Sequence, residues 1–146
     1  MTGRAWARPA ILGGFDGLVC LIGSAVPALS AAPHTAFREA LGIGLAETVG
    51  MAAAEWQSES RNGPAASLIV GAATGATAIV PGVPLAFGTG LIARLAAVAL
   101  VVAVAVAIAL LRAAERGRRR ALAESLLIIT AVALVVGAGQ WIAGGA

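Results

Sequence analysis

Apolar residues fall into five long runs along the chain, and short polar segments separate them. The runs cover residues of about 10–30, 37–56, 65–83, 91–111 and 122–142. Each is close to the length that an α-helix needs to cross the hydrocarbon core of a bilayer at about 1.5 Å per residue. Pro and Gly mark most of the breaks. The pattern predicts an all-α integral membrane protein, with residues 1–146 forming a single domain of five transmembrane helices.

The second run carries acidic side chains that a lipid-facing helix would not hold. Glu47, Met51, Glu55 and Glu59 follow one another at intervals of four residues, so on a helix they share one slowly drifting face. A carboxylate deep in hydrocarbon costs on the order of 2.5 kcal/mol or more, and such residues usually mark an ion or proton path. Asp16 interrupts the first run in the same way. We therefore predict metal ligands at Asp16, Glu47, Met51 and Glu55, and a solvated carboxylate at Glu59.

The distribution of arginine predicts the orientation. With the N-terminus in the cytoplasm, only Arg38 and Arg94 lie outside, and the inside holds Arg4, Arg8, Arg61, Arg112, Arg116, Arg118, Arg119 and Arg120. The positive-inside rule therefore favours a cytoplasmic N-terminus and an outer C-terminus. Glu55 then lies at the cytoplasmic mouth of the second span, with Met51 and Glu47 one and two turns deeper. A cleaved signal peptide is the competing interpretation of the first run, but Asp16 and the length of the run argue against it.

Composition supports a membrane protein and excludes several other classes. The chain is 60% hydrophobic and 12% charged, against roughly 45–50% and 25% in soluble domains, and its mean hydropathy is +0.94. The net charge of +3 does not indicate nucleic-acid binding, because the arginines lie between apolar runs rather than on a folded basic face. The sequence contains no nucleotide-binding or nucleophile motif, so no motif in it predicts an enzyme. The abundance of Arg, Ala and Gly suggests a GC-rich bacterial genome, and hence a bacterial inner membrane.

The types of ligand restrict the ion. Carboxylates suit Mg²⁺, Ca²⁺ and Mn²⁺, and a thioether adds preference for softer ions, so the mixture fits Fe²⁺ or Mn²⁺ best. One chain offers few ligands, and a two-fold homodimer would present each of them twice. Cys20 is the only cysteine and His34 the only histidine, which excludes an internal disulfide and a thiolate zinc cluster. We expect Cys20 to pack as a small apolar side chain.

Two motifs resemble the vacuolar iron transporter family, which includes the yeast calcium-sensitive cross-complementer type. The segment GGFDGLV is similar to that family's Asn-Asp-Gly element in span one, and GLAETVGMAAAEWQSES is similar to its Ser-Met-Ala-Ala-Gly-Glu-Tyr element in span two. The third span resembles the family's segment that ends in a proline-rich turn. The five-span order covers nearly the whole chain. The matching positions are Asp16, Gly17, Met51, Ala52, Ala53 and Glu55.

The resemblance implies a homodimer that exports Fe²⁺ or Mn²⁺ from the cytoplasm against inward proton movement. It implies that Asp16 and Met51 line the path at the dimer interface and that Glu55 guards its cytoplasmic entrance. The chain departs from the family at Phe15, where Asn is usual, and at Glu47, where a small residue is common. It is a short form, since about eight residues replace the cytoplasmic metal-collecting domain that many members insert between spans two and three.

The absence of this domain has two possible explanations. Either metal is collected differently, for which a metal-delivering partner is one route, or the activity or ion has changed. Glu47 would then be an added ligand that compensates for the loss.

The alternatives to a transporter are a non-transporting membrane subunit that binds or senses metal for a partner, and a less selective proton or cation pathway. Metal flux distinguishes the transporter from the first alternative, and ion selectivity distinguishes it from the second.

Overall fold

The structure is a computed structural model that describes residues 6–28, 33–58, 63–88 and 90–117, with further positions at 119–120, 123–124, 126–127, 130–131, 134–135 and 138. Five α-helices occupy the continuous parts: α1 (Ala7–Ala28), α2 (Pro33–Gln57), α3 (Pro64–Ile79), α4 (Val83–Phe87) and α5 (Leu91–Arg116). A 3-10 turn at Val80–Gly82 joins α3 to α4. These described parts contain no strand, so the prediction of an all-α fold is confirmed.

Helix α3 packs against α1 through two glycines of α1. A Cβ at Gly13 would collide with the carbonyl oxygen of Val70, and a Cβ at Gly17 would collide with that of Thr74. A step of four residues along α1, from Gly13 to Gly17, matches a step of four residues in the same direction along α3, from Val70 to Thr74, so the two helices run parallel. Thr74 is fully buried, and its hydroxyl donates to the Val70 carbonyl at 2.9 Å within α3. Only glycine therefore lets α1 approach the α3 backbone so closely.

A neighbouring side of α3 packs against α2 through its own glycines. A Cβ at Gly71 would come within 2.5 Å of the Thr48 carbonyl oxygen and 2.8 Å of the Ala52 Cβ. A Cβ at Gly75 would collide with the Thr48 hydroxyl, which donates to the Gly44 carbonyl at 2.7 Å. Gly71 and Gly75 thus form a small-residue face that makes a close helix contact. Helix α3 is the platform that fixes both α1 and α2.

Proline and glycine set the ends of the later helices. Pro64 occupies the first turn of α3, after Gly63 at a φ of 70°. Pro81 cannot donate a backbone hydrogen bond, so the helix tightens into the 3-10 turn at this point and continues as α4 to Phe87. The third helical path is therefore longer than the predicted run of 65–83. Helix α5 ends at Gly117, whose φ is 87° and whose N–H donates to the Ala113 carbonyl at 3.1 Å.

Helix α5 is anchored along one stripe and exposed elsewhere. Ile108 packs with Leu18 and Ile22 of α1, and Ala97 packs with Leu85 and Ala36. Most of its large side chains are exposed, among them Leu91, Ile92, Leu95, Val98, Val102, Val106 and Leu110. An apolar surface of this kind is typical of a helix that faces lipid.

The prediction of five membrane spans is supported only in part. Within the described residues, two helical stretches are long and apolar enough to cross a membrane: Pro64–Phe87 with a mean hydropathy of 1.7, and Leu91–Ala113 with 2.8. Helices α1 and α2 have 22 and 25 residues but do not pass the same test. In α2, the charged side chains of Arg38, Glu39, Glu47 and Glu55 lower the hydropathy. Most of the predicted fifth span lies outside the described residues.

Candidate metal site between α1 and α2

Three potential metal ligands meet where α1 faces α2. A carboxylate oxygen of Asp16, the Sγ of Cys20 and a carboxylate oxygen of Glu47 all lie within 4.8 Å of one another. We call Asp16, Cys20 and Glu47 the α1–α2 donor cluster. Asp16 and Cys20 are one helical turn apart and so project from the same face of α1. All three side chains are partly buried, which leaves the cluster reachable rather than sealed in a core.

The glycine contacts with α3 give the cluster its geometry. Because Gly13 and Gly17 face α3, the neighbouring face of α1, which bears Asp16 and Cys20, turns toward α2. Because Gly71 and Gly75 hold Thr48 of α2, the adjacent Glu47 is fixed in register with that face of α1. The cluster is therefore built on two helices that a third helix locks in place, which limits the movement of its ligands.

One oxygen of the cluster is left without a partner. Asp16 Oδ2 is buried, and no donor among the described residues lies within hydrogen-bonding distance of it. A buried polar group without a partner costs about 1–3 kcal/mol, and a charged one costs more. Glu47 cannot relieve this cost when both carboxylates are ionised, since like charges repel. A cation held between the two side chains would supply the missing partner and remove the repulsion.

The donor set can bind a divalent ion without filling its coordination sphere. Two carboxylates and a thiol provide up to two hard donors and one soft donor. Three protein ligands leave coordination positions of the metal for water or for further side chains, as in sites that keep an open position. The arrangement is thus suited to transient binding of a divalent cation.

Met51 and Glu55 lie farther along α2 than the cluster. They follow Glu47 by one and two turns, or about 6 and 12 Å along the helix axis, and both side chains are partly buried. The structure brings Asp16 to Glu47 and does not place Glu55 in the donor cluster. Ligand roles for Met51 and Glu55 remain predictions. Glu59 falls outside the described residues.

Cys20 lies in a different setting from the apolar one that we expected. Its thiol faces two carboxylates, whereas a small apolar side chain would be expected among apolar neighbours. The spacing of four residues from Asp16 was the available signal, because it places the thiol on the same face of the helix as the carboxylate. A lone cysteine usually packs as a small hydrophobe, so the spacing alone did not outweigh that expectation.

A second polar contact links the basic turn to α1. Arg112 donates to Glu124 at 2.9 Å, and Arg120 donates to the other oxygen of Glu124 at 2.9 Å. The Arg112 guanidinium also lies 5.1 Å from the centre of the Phe15 ring, within the range of a cation–π interaction. Two arginines of this turn, Arg112 and Arg120, are therefore engaged by Glu124, and Arg112 also contacts the residue beside Asp16.

Comparison with known proteins adds no relative. No family model, curated protein or solved structure matches the chain. The resemblance to the vacuolar iron transporter family therefore rests on the two motifs in the first and second runs. Of the residues that carry those motifs, Asp16 belongs to the donor cluster, and Met51 and Glu55 follow it along α2. Membership of that family stays a prediction.

Proposed function

We propose that the chain is an integral membrane transporter that exports a divalent transition metal, Fe²⁺ or Mn²⁺, from the cytoplasm. The observation that carries this proposal is the α1–α2 donor cluster, with a buried Asp16 oxygen that lacks a partner. Paired carboxylates between largely apolar helices are costly and seldom serve packing alone. A path that loads and releases a cation gives them a role.

The metal enters past Glu55 and Met51 and reaches the donor cluster at Glu47. These three residues are spaced by four along α2, so they form a line of ligands about 12 Å long. Asp16 and Glu47 release the metal toward the outer side and take up protons in exchange, which makes the transporter an antiporter. The proton removes the repulsion between the two carboxylates once the metal has left.

The proposed membrane arrangement has five spans, with the N-terminus in the cytoplasm and the C-terminus outside, in a bacterial inner membrane. Two apolar helical stretches support it, as does the excess of arginine on the side assigned to the cytoplasm. The described positions at 123–124, 126–127, 130–131, 134–135 and 138 are helical, in agreement with a further helix there.

A homodimer completes the proposed site. Gly42, Ala46 and Gly50 are exposed on α2 at intervals of four residues, and a Cβ at Gly42 or Gly50 would meet no atom within 4 Å among the described residues. Small residues at this spacing are typical of close helix–helix contacts in membranes. A second copy on this face would bring a second set of ligands toward the same path.

Flux into proteoliposomes tests the function. The purified protein is reconstituted with a metal-quenched fluorophore inside, and Fe²⁺ or Mn²⁺ is added with and without a pH gradient. We expect wild-type quenching that grows when the gradient favours proton counter-movement. Asp16→Asn and Glu47→Gln each remove a ligand, so flux should fall at least about tenfold, the lower end of what even an outer-shell change costs a metal site.

Glu39→Gln is the matched control, since it removes an exposed carboxylate of α2 outside the donor cluster and should leave flux unchanged. Met51→Ala and Glu55→Gln test the entrance. Wild-type flux in both Asp16→Asn and Glu47→Gln contradicts the path. Metal binding without flux favours a non-transporting subunit that binds or senses metal for a partner. Equal conduction of protons or Ca²⁺ favours an unselective pathway.

A further inference from the structure

Cys20 adds a donor to the cluster whose chemistry differs from that of the two carboxylates. Its Sγ lies within 4.8 Å of a carboxylate oxygen of both Asp16 and Glu47, a separation that a single ion between the three atoms can bridge after small side-chain shifts. Metal–sulfur and metal–oxygen bonds of about 2.3 and 2.1 Å place the ligand atoms of one tetrahedral ion roughly 3.5 Å apart, so the three side chains need to approach one another by about 1 Å. The thiol is therefore positioned to join the same coordination sphere.

The surroundings of Cys20 do not explain it as a packing residue. The helix positions that pack against α3 are the glycines Gly13 and Gly17, and the α1 residues that pack against α5 are Leu18 and Ile22. The Sγ of Cys20 lies beside the carboxylates of Asp16 and Glu47, and Oδ2 of Asp16 is buried without a partner. The thiol thus lies close to the carboxylate that carries the unpartnered oxygen.

We propose, building on the transport function above, that Cys20 is the selectivity-determining ligand of the α1–α2 donor cluster and makes it prefer borderline ions such as Fe²⁺ over the harder Mn²⁺. Carboxylates alone suit Mn²⁺, Mg²⁺ and Ca²⁺, whereas a thiolate favours softer ions. When the metal binds, the thiol loses its proton to water and the sulfur donates an electron pair to the ion. No electron is transferred to or from the metal.

Binding of Co²⁺ and Cd²⁺ to the whole purified protein in detergent tests this role without requiring transport. A sulfur ligand gives thiolate-to-metal charge-transfer absorption in the ultraviolet, which carboxylate ligands do not give. Because Cys20 is the only cysteine, such a band in the wild type identifies it directly. We expect the band in the wild type, and its absence overturns the proposal even if no variant can be purified.

Cys20→Ser replaces the soft donor with a hard one of similar size. We expect it to lose the charge-transfer band, to keep the weaker d–d absorption of Co²⁺ held by the carboxylates, and to lower the preference for Cd²⁺ over Mn²⁺ by at least about tenfold, the lower end of what even an outer-shell change costs. An unchanged preference overturns the proposal. Asp16→Asn is the comparison variant, and it should weaken the binding of both Cd²⁺ and Mn²⁺ because it removes a donor that both ions use.

Flux separates this proposal from the transport function on which it builds. In the proteoliposome assay, Cys20→Ser should still move Mn²⁺ and should lose its preference for Fe²⁺. A charge-transfer band without flux in the wild type supports Cys20 as a ligand and contradicts transport. A third result would be flux without the band, with the same preference for Fe²⁺ over Mn²⁺ in the wild type and in Cys20→Ser. This result supports transport and contradicts the role of Cys20.

Discussion

Helix α3 with its extension to Phe87 and helix α5 show that apolarity does not decide which helix lies inside this molecule. The stretch Leu91–Ala113 has the higher mean hydropathy, 2.8 against 1.7, yet only 11% of it is buried, against 44% of Pro64–Phe87. The buried positions of α3 are small: Ala66, Ser67, Val70, Gly71, Thr74, Gly75 and Ala78. In a membrane, where lipid is as apolar as leucine, close backbone approach holds helices together.

The largest effect should come from filling the contact between α1 and α3. Gly17→Leu would press its side chain on the Thr74 carbonyl oxygen and the Thr77 hydroxyl. The carbonyl belongs to the backbone of a buried helix and cannot move aside, so we expect a loss above the ~1–3 kcal/mol typical of overpacking. Unfolding in mixed detergent micelles, followed by circular dichroism, measures the change.

Gly23→Leu is the matched control for Gly17→Leu. Gly23 lies on the same helix, and a Cβ there would meet nothing within 4 Å among the described residues. It should leave the free energy of unfolding unchanged or raise it by about 0.5–1 kcal/mol, since glycine is a poor helix former. Equal losses in the two variants would show that α1 does not pack on α3 through Gly17.

The next largest effect should be the stabilisation that metal gives to the α1–α2 contact. A ligand at a hundred times its dissociation constant stabilises the protein that binds it by about 2.7 kcal/mol. We expect Fe²⁺ or Co²⁺ to raise the unfolding temperature of the wild type. Asp16→Asn should abolish this rise, because it replaces the carboxylate whose oxygen lacks a partner, and Glu39→Gln should keep it. A rise that survives in Asp16→Asn would place the bound ion elsewhere.

A smaller effect should follow from filling the contact between α3 and α2. Gly75→Ala places a methyl group against the Thr48 hydroxyl. A side chain can rotate away where a carbonyl cannot, so the loss should be about 1–2 kcal/mol, within the range for overpacking. Thr48→Ala should restore most of it in the double variant. Losses that simply add would mean that the two residues do not contact each other.

The sequence predicted those features that depend on spacing along one helix. The five apolar runs and the line from Glu47 to Glu55 are both read from the pattern of residues along the chain. It did not predict that Asp16 meets Glu47, because that pairing depends on how α1 is rotated about its axis. The rotation follows from contacts of Gly13 and Gly17 with a helix that begins more than 40 residues later.

Cys20 and Pro81 show two further reasons for missed features. A single cysteine carries no pattern that separates a ligand from a small apolar residue, so its position beside Asp16 and Glu47 emerges only from the structure. Pro81 usually ends a helix, but here a 3-10 turn accommodates it and the helical path continues to Phe87. The first outcome depends on a neighbour that is remote in the sequence, and the second on a local change of helix geometry.

The smallest effect should come from the outer face of α5. Val102 is 56% exposed, so Val102→Ala in a micelle should change the free energy of unfolding by less than about 0.5 kcal/mol, as is usual for surface substitutions. Ile108→Val removes only one methylene, yet it should cost about 0.5–1.5 kcal/mol, because Ile108 is buried against Leu18 and Ile22 of α1. Val102→Ala removes more atoms than Ile108→Val and is nevertheless expected to cost less stability. The reverse order would show that another helix or a second copy covers the Val102 face, and α5 would then be held by its apolar surface in the way that α3 is held by its glycines.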